Sequence, residues 1–195
     1  MKLLCLGDSL TYGYGVSRRN TWVCLTAERT GHTLINCGLN GDTVVGMRER
    51  LPLEAEWERP DGVFVMGGTN DILITGGDAV ARRDLADLVR QARKMEITPI
   101  LGIAPEVRGD AENCFWPDRE GLRTRIPIFE AYAAWQLRLA RAEDIPVVDF
   151  RPAFAGRPTR ELYLDGIHPN AAGHAEMADV LCRAQSEPTG MLGMF

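Results

Sequence analysis

The chain has 195 residues, 45% of them hydrophobic, which fits one domain with a sizeable buried core. Its formal net charge is -5 and its Lys and Arg residues are scattered, which argues against binding nucleic acid or an anionic membrane surface. No apolar run approaches the roughly 20 residues of a membrane span and no export signal precedes the first strand, so we expect a cytoplasmic protein without stable membrane insertion.

Short apolar runs alternate along the chain with longer amphipathic stretches. Five of the runs are typical of buried strands, namely Lys2–Leu6, His32–Cys37, Asp61–Met66, Pro99–Ile103 and Pro146–Phe150. Helical spacing of apolar residues predicts helices at Thr21–Arg29, Thr43–Leu51, Asp78–Glu96, Phe129–Arg141 and Ala171–Cys182. Because each parallel crossover needs a helix-sized connection, this alternation predicts an α/β fold, a three-layer α/β/α sandwich around a parallel sheet of about five strands.

We expect one domain over residues 1–186 and a flexible tail over 187–195, which lacks hydrophobic periodicity. One charged insert, Glu106–Arg125, follows the fourth strand and is predicted to be a loop. It carries the adjacent rings of Phe115 and Trp116, which are costly to expose. The insert is therefore expected either to pack onto the sheet or to shape a substrate pocket.

Polar segments rich in glycine follow the predicted strands. Gly7-Asp8-Ser9 follows the first, Gly38 to Asp42 the second and Gly67 to Asp71 the third, while Asp165 to Pro169 precedes the last helix. Ligands of open parallel sheets bind at the carboxyl ends of the strands. The sequence thus predicts a functional site at this rim. Gly7-Asp8-Ser9 alone is equally compatible with a turn, a helix N-cap or a phosphate cradle.

Taken together, the segments supply the groups that ester hydrolysis by a serine requires. Ser9 is the candidate nucleophile, His168 the candidate base, and Asp165 lies close enough to orient that base. The backbone N–H groups of Ser9 and Gly38 and the side-chain amide of Asn70 are candidate donors to the oxyanion. Asp8 and Asp71 adjoin predicted helix or turn starts and are expected to accept hydrogen bonds from the backbone, and Asp42, which precedes Thr43 at a predicted helix start, is expected to accept as its cap.

The motifs Gly7-Asp8-Ser9-Leu10, Gly38, Gly68-Thr69-Asn70-Asp71 and Asp165-Gly166-Ile167-His168 occur in the order of the four sequence blocks of the SGNH hydrolases, also called GDSL lipases and esterases. The chain resembles this family over nearly its whole length. The runs Asn40-Gly41-Asp42-Thr43 and "DGIHPN" resemble its bacterial thioesterase and lysophospholipase branch. The resemblance implies a flavodoxin-like sandwich, a Ser9, His168 and Asp165 triad with Ser9, Gly38 and Asn70 as oxyanion donors, and no metal or organic cofactor.

The expected partner is a small acyl ester or thioester substrate, hydrolysed through an acyl-enzyme. A carbohydrate O-acetyl esterase of the same family is one alternative. A flavodoxin-like binding module without catalysis is another, although it leaves Asp165 and His168 unexplained. A dinucleotide site is excluded because no third glycine follows Gly13-Tyr14-Gly15 at the required spacing. Five cysteines at irregular spacing predict neither a disulfide framework nor a zinc site.

Overall fold

A computed structural model describes residues 1–109 and 119–186 and contains a five-stranded sheet in which all neighbouring strands are parallel. The strands are β1 (Lys2–Gly7), β2 (Thr33–Gly38), β3 (Gly62–Met66), β4 (Thr98–Ile103) and β5 (Val147–Asp149). They lie in the order β2-β1-β3-β4-β5. This is the strand order of flavodoxin-like sheets, whose crevice lies between β1 and β3. The predicted α/β/α sandwich is confirmed.

The helices connect the strands and cover the sheet. Their bounds are α1 (Ser9–Tyr12), α2 (Trp22–Thr30), α3 (Val44–Glu58), α4 (Thr69–Thr75), α5 (Ala79–Lys94), α6 (Arg119–Ala142), α7 (Arg151–Phe154), α8 (Thr159–Leu162) and α9 (Ala171–Ser186). A short 3₁₀ turn, Arg18–Asn20, precedes α2. None of the helices in the described ranges is both long and apolar enough to cross a bilayer.

Two hydrophobic cores form because successive strand residues point to opposite faces of the sheet. Leu3 and Cys5 of β1 pack into the core that contains Trp22 of α2 and Met177 of α9. The alternating residues Leu4 and Leu6 pack into the other core, with residues of α3, α5 and α6. With both faces buried, the β1 and β3 segments are continuous apolar runs, which is why they are visible in the sequence.

Three helices are longer than predicted: α9 continues to Ser186, and the other two, α3 and α6, each contain a proline. The prediction that Glu106–Arg125 is entirely a loop is wrong for its end, because α6 begins at Arg119 and passes through Pro127. Leu122, Ile126 and Phe129 follow helical spacing, and Leu122 is fully buried. Helix α3 likewise passes through Pro52. One missing backbone donor costs less than the packing that each helix gains beyond its proline.

Two predicted features lie outside the described residues. They are the adjacent rings of Phe115 and Trp116 and the tail over 187–195. Their expected roles stay predictions.

Candidate active site

Ser9 lies at the carboxyl end of β1, where the chain turns from the sheet into α1. A Cβ at Gly7 would lie 2.2 Å from Oγ1 of Thr11 and 2.8 Å from the carbonyl oxygen of Met66, so only glycine fits this turn. Asp8 is the N-cap of α1, and its Oδ1 accepts a hydrogen bond of 2.9 Å from the backbone N–H of Leu10. The turn and the cap together place the Ser9 hydroxyl at the rim of the sheet.

The structure brings Ser9, His168 and Asp165 into one hydrogen-bonded chain. The distance from Oγ of Ser9 to Nε2 of His168 is 3.0 Å, and Nδ1 of His168 lies 2.7 Å from Oδ2 of Asp165. Burial raises the pKa of the Asp165 carboxyl, but hydrogen bonds from the His168 ring and from the N–H groups of His168 and Ile167 lower it below its ordinary value. Since an ionised carboxylate only accepts, Nδ1 carries the proton and Nε2 is free to accept from Ser9.

The loop that carries His168 is held from both sides. Oδ1 of Asp165 accepts hydrogen bonds from the N–H groups of Ile167 and His168, at 2.9 and 2.8 Å. The N–H of Arg108, in the loop after β4, donates to the carbonyl oxygen of Gly166 at 2.7 Å. The Tyr14 ring lies 4.6 Å from the His168 ring between centroids. These contacts orient the imidazole toward Ser9.

Three acidic side chains lie behind the serine, and each accepts from a backbone N–H as predicted. Asp8 accepts from Leu10, Asp42 from Thr43 and Asp71 from Val44. Thr43, and not Asp42, is the N-cap of α3. Burial raises the pKa of Asp71, and it raises the pKa of Asp8 to about 7. Ser9 therefore adjoins a polar region that is weakly solvated.

The predicted oxyanion donors differ in their availability. The N–H of Gly38 donates to Oδ1 of Asn36 at 3.0 Å, so it is engaged within the protein. The side-chain amide of Asn70 donates to the carbonyl oxygen of Asp42 at 2.8 Å, and an amide nitrogen has a second hydrogen to offer. The N–H groups of Ser9 and Gly41 have no acceptor among the residues that the structure describes.

Two side chains that the sequence reasoning missed connect the loops of the site. Asn36 of β2 donates to the carbonyl oxygen of Thr11 at 2.8 Å while accepting from Gly38, so it ties β2 to α1. Arg50 of α3 donates to the carbonyl oxygens of Gly7 and Cys37, which joins the ends of β1 and β2. Asn36 could have been recognised in the sequence, because it is a polar residue within the apolar run that forms β2.

A pocket of about 530 Å³ lies beside the loops that carry Asn70 and His168, although none of Ser9, His168 and Asp165 lines it. Its lining includes Thr69, next to Asn70, and also Glu106 and Val107, from the loop whose Arg108 N–H donates to Gly166. Ile103, Ile126 and Phe129 contribute apolar surface. The volume lies within the range of about 300–1,000 Å³ typical of small-molecule sites. Within residues 1–109 and 119–186, no three His, Cys, Asp or Glu side chains lie close enough to share a metal ion.

Comparison with known proteins agrees with this arrangement. A model of the GDSL-like Lipase/Acylhydrolase family matches residues 5–176. The chain belongs to this family. The resemblance drawn from the four motifs is thus confirmed, and the protein is a serine ester hydrolase.

The similar proteins support the family assignment, some by sequence identity and one by its fold. Thioesterase 1/protease 1/lysophospholipase L1 of Escherichia coli is 27% identical over 183 residues, which cover 93% of this chain and 81% of that protein. Esterase TesA of Pseudomonas aeruginosa is 26% identical, over 91% of this chain and 84% of its own. A lipolytic protein of the G-D-S-L family from Veillonella parvula shares the fold, with a TM-score of 0.79 and 24% identity over 94% and 97% of the two chains.

Proposed function

We propose that this GDSL hydrolase cleaves acyl esters or thioesters through an acyl-enzyme on Ser9. The observation that carries the proposal is the hydrogen-bonded chain from Ser9 through His168 to Asp165, with distances of 3.0 and 2.7 Å. A hydroxyl, a neutral imidazole and an ionised carboxylate in this order are the parts of a serine triad. The similar proteins named as a thioesterase, a lysophospholipase and an esterase support the substrate class.

The reaction proceeds in two halves. Oγ of Ser9 bonds to the substrate carbonyl carbon as its proton passes to Nε2 of His168. The intermediate then collapses, the bond to the leaving oxygen or sulfur breaks, and the leaving group takes that proton. In the second half a water gives a proton to Nε2 and attacks the acyl carbon, and Oγ of Ser9 departs with the proton, which releases the carboxylic acid.

The oxyanion of each intermediate needs donors that are fixed before the substrate binds. We assign this role to the N–H of Ser9 and the amide of Asn70, as predicted from the sequence. Gly38 stays a predicted donor, although its bond to Asn36 must break before it can serve. The N–H of Gly41 is a further candidate, because it has no acceptor among the described residues and Asn70 donates to the neighbouring Asp42.

The pocket beside the triad favours an acyl chain over an acetyl group. Its volume of about 530 Å³ and its apolar walls suit several methylene groups, each worth about 0.8 kcal/mol when buried. This is why we place carbohydrate O-acetyl ester hydrolysis second, although the structure of a carbohydrate acetylesterase family member from Sinorhizobium meliloti has a similar fold. The cytoplasmic location stays a prediction, which fractionation of the source cells checks.

The test of the proposal is Ser9→Ala, assayed on p-nitrophenyl octanoate. Among the described residues Oγ of Ser9 bonds only to His168, so the variant should fold with an unchanged melting temperature. Its activity should fall to the residual level of a triad without its nucleophile, about 10³–10⁴-fold over the uncatalysed reaction. Folded Ser9→Ala protein with wild-type turnover contradicts the proposal.

A further inference from the structure

The pocket beside the triad extends inward from the rim of the sheet. Its outer part is formed by Thr69, beside Asn70, and by Glu106, whose carbonyl oxygen accepts from the Tyr163 hydroxyl at 2.6 Å. Its inner part is formed by α6. That helix ends at Ala142, five residues before β5 begins, so it runs antiparallel to the strands and its later turns lie deeper below the rim.

Tyr132 and Gln136 are one helical turn apart on α6, and both line the pocket. The Tyr132 hydroxyl donates to the carbonyl oxygen of Gly67, just beyond the end of β3, which places Tyr132 near the rim. Four residues of helix advance about 6 Å along the axis. Gln136 therefore lies about one turn deeper than Tyr132, away from the triad.

Gln136 is a buried polar side chain without a partner among the described residues. Its exposed fraction is 3%, yet its amide forms no hydrogen bond with any residue that the structure describes. Leaving such a group unpaired costs free energy, so buried polar groups normally have a protein or ligand partner. Asp149, another polar side chain of the pocket, is paired, because it accepts two bonds from the Arg151 guanidinium. The Gln136 amide is thus available to a ligand in the pocket.

We propose that Gln136 is a specificity-determining residue that hydrogen-bonds a hydroxyl group near the far end of the substrate's acyl chain. The inference rests on the proposed function, because it assumes that the acyl chain occupies this pocket. An amide both donates and accepts, which matches a hydroxyl. A terminal carboxylate fits poorly, because Glu106, Glu130 and Asp149 line the pocket and Arg151 is already paired.

The test compares Gln136→Leu with wild type on matched p-nitrophenyl esters, namely hexanoyl, octanoyl and decanoyl esters and their ω-hydroxy counterparts. Wild type should have the higher kcat/KM for the hydroxyacyl member of at least one pair. In Gln136→Leu that value should fall about five- to tenfold, the worth of one neutral hydrogen bond, while the unsubstituted chain improves. Gln136→Met is the second variant, in case leucine does not pack.

Gln91→Leu is the matched control, because Gln91 is a partly exposed residue of α5 that does not line the pocket. It should leave both values unchanged. A second arm compares glyceryl and ethyl octanoate, and a Gln136 effect confined to this pair overturns the placement of the hydroxyl on the acyl chain. Equal hydrolysis of both series by wild type, unaffected by Gln136→Leu, overturns the inference alone. Failure to hydrolyse any of these esters overturns the proposed function instead.

Discussion

Asp8→Asn is expected to make the protein more stable at neutral and alkaline pH. Asp8 is 1% exposed, and burial raises its pKa from 3.8 to about 7, against the opposing effects of the Leu10 N–H and of His168. The folded protein therefore holds the Asp8 proton more tightly than the unfolded chain. Its contribution to stability is fully present below about pH 4 and is lost as the pH rises through about 7.

The size of the expected stabilisation follows from the size of the Asp8 pKa shift. A change from 3.8 to about 7 is about three pKa units, and each unit is worth about 1.4 kcal/mol. Ionisation of wild-type Asp8 thus costs about 4 kcal/mol of the free energy of unfolding above pH 7. Asparagine keeps an oxygen that accepts from Leu10 and carries no charge, so the variant avoids this cost.

A second buried group, His174, changes the free energy of unfolding with pH in the opposite direction. Burial lowers the pKa of His174 from 6.5 to about 4, and its Nδ1 accepts from the N–H of Trp22. The stability that the neutral imidazole contributes is present above about pH 6.5 and is lost as the pH falls through about 4. The wild-type stability profile therefore sums opposing slopes, to which Asp71 with its raised pKa and Asp165 with its lowered pKa also contribute, and the difference between variant and wild type brings out the effect of Asp8.

The assay is urea unfolding followed by tryptophan fluorescence from about pH 5 to about pH 8. The control is Asp144→Asn, because Asp144 is exposed and its left-handed backbone, with a φ of 49°, suits asparagine equally well. Relative to wild type, Asp8→Asn should gain stability as the pH rises from about 5 to about 7 and then level off, and the control should not. An Asp8→Asn difference that is the same at both ends of the range refutes the reasoning.

Three further predictions concern catalysis and packing at the rim. Asn70→Ala should lower kcat about 10²–10³-fold with a smaller change in KM, measured on p-nitrophenyl octanoate, and a change in KM alone contradicts the donor role. Asp165→Asn should lower kcat about 10⁴-fold, because the amide does not fix the His168 tautomer, and near-normal turnover contradicts the triad. Gly38→Ala should lower the melting temperature far more than Gly41→Ala, because the new Cβ lies 2.1 Å from the Tyr12 nitrogen, whereas alanine at Gly41 meets only the backbone strain of a φ of 78° and no atom within 4 Å, and equal losses contradict this.

The sheet was predictable because each strand can be recognised from its own residues, without knowledge of distant contacts. All five strands fall within about two residues of their predicted bounds, since a strand buried on both faces is an apolar run ended by glycine or a polar residue. The pair of Asp165 and His168 was predictable for the same reason, as three residues separate them. The meeting of Ser9 with His168 follows from the parallel topology, which collects strand ends at one rim.

Features that depend on contacts distant in sequence were not predictable. The start of α6 at Arg119 depends on burial of Leu122 against the rest of the fold. The bond from Gly38 to Asn36 depends on the orientation of the Asn36 side chain, which also donates to the distant carbonyl oxygen of Thr11, and motif spacing contains no information about that contact. Gln136 belongs to α6, and the sequence of that helix indicates only that it packs against the sheet. Its availability became apparent from the pocket that it lines.

The most direct test of the account is to identify the residue that becomes covalently modified. The protein is treated with a fluorophosphonate ester, which phosphonylates an activated serine, and the adduct is located by mass spectrometry of intact protein and peptides. The account predicts one adduct per chain, on Ser9, that appears in parallel with loss of esterase activity and forms far more slowly in His168→Ala. Complete inactivation with the adduct on any other residue, or with Ser9 unmodified, contradicts it.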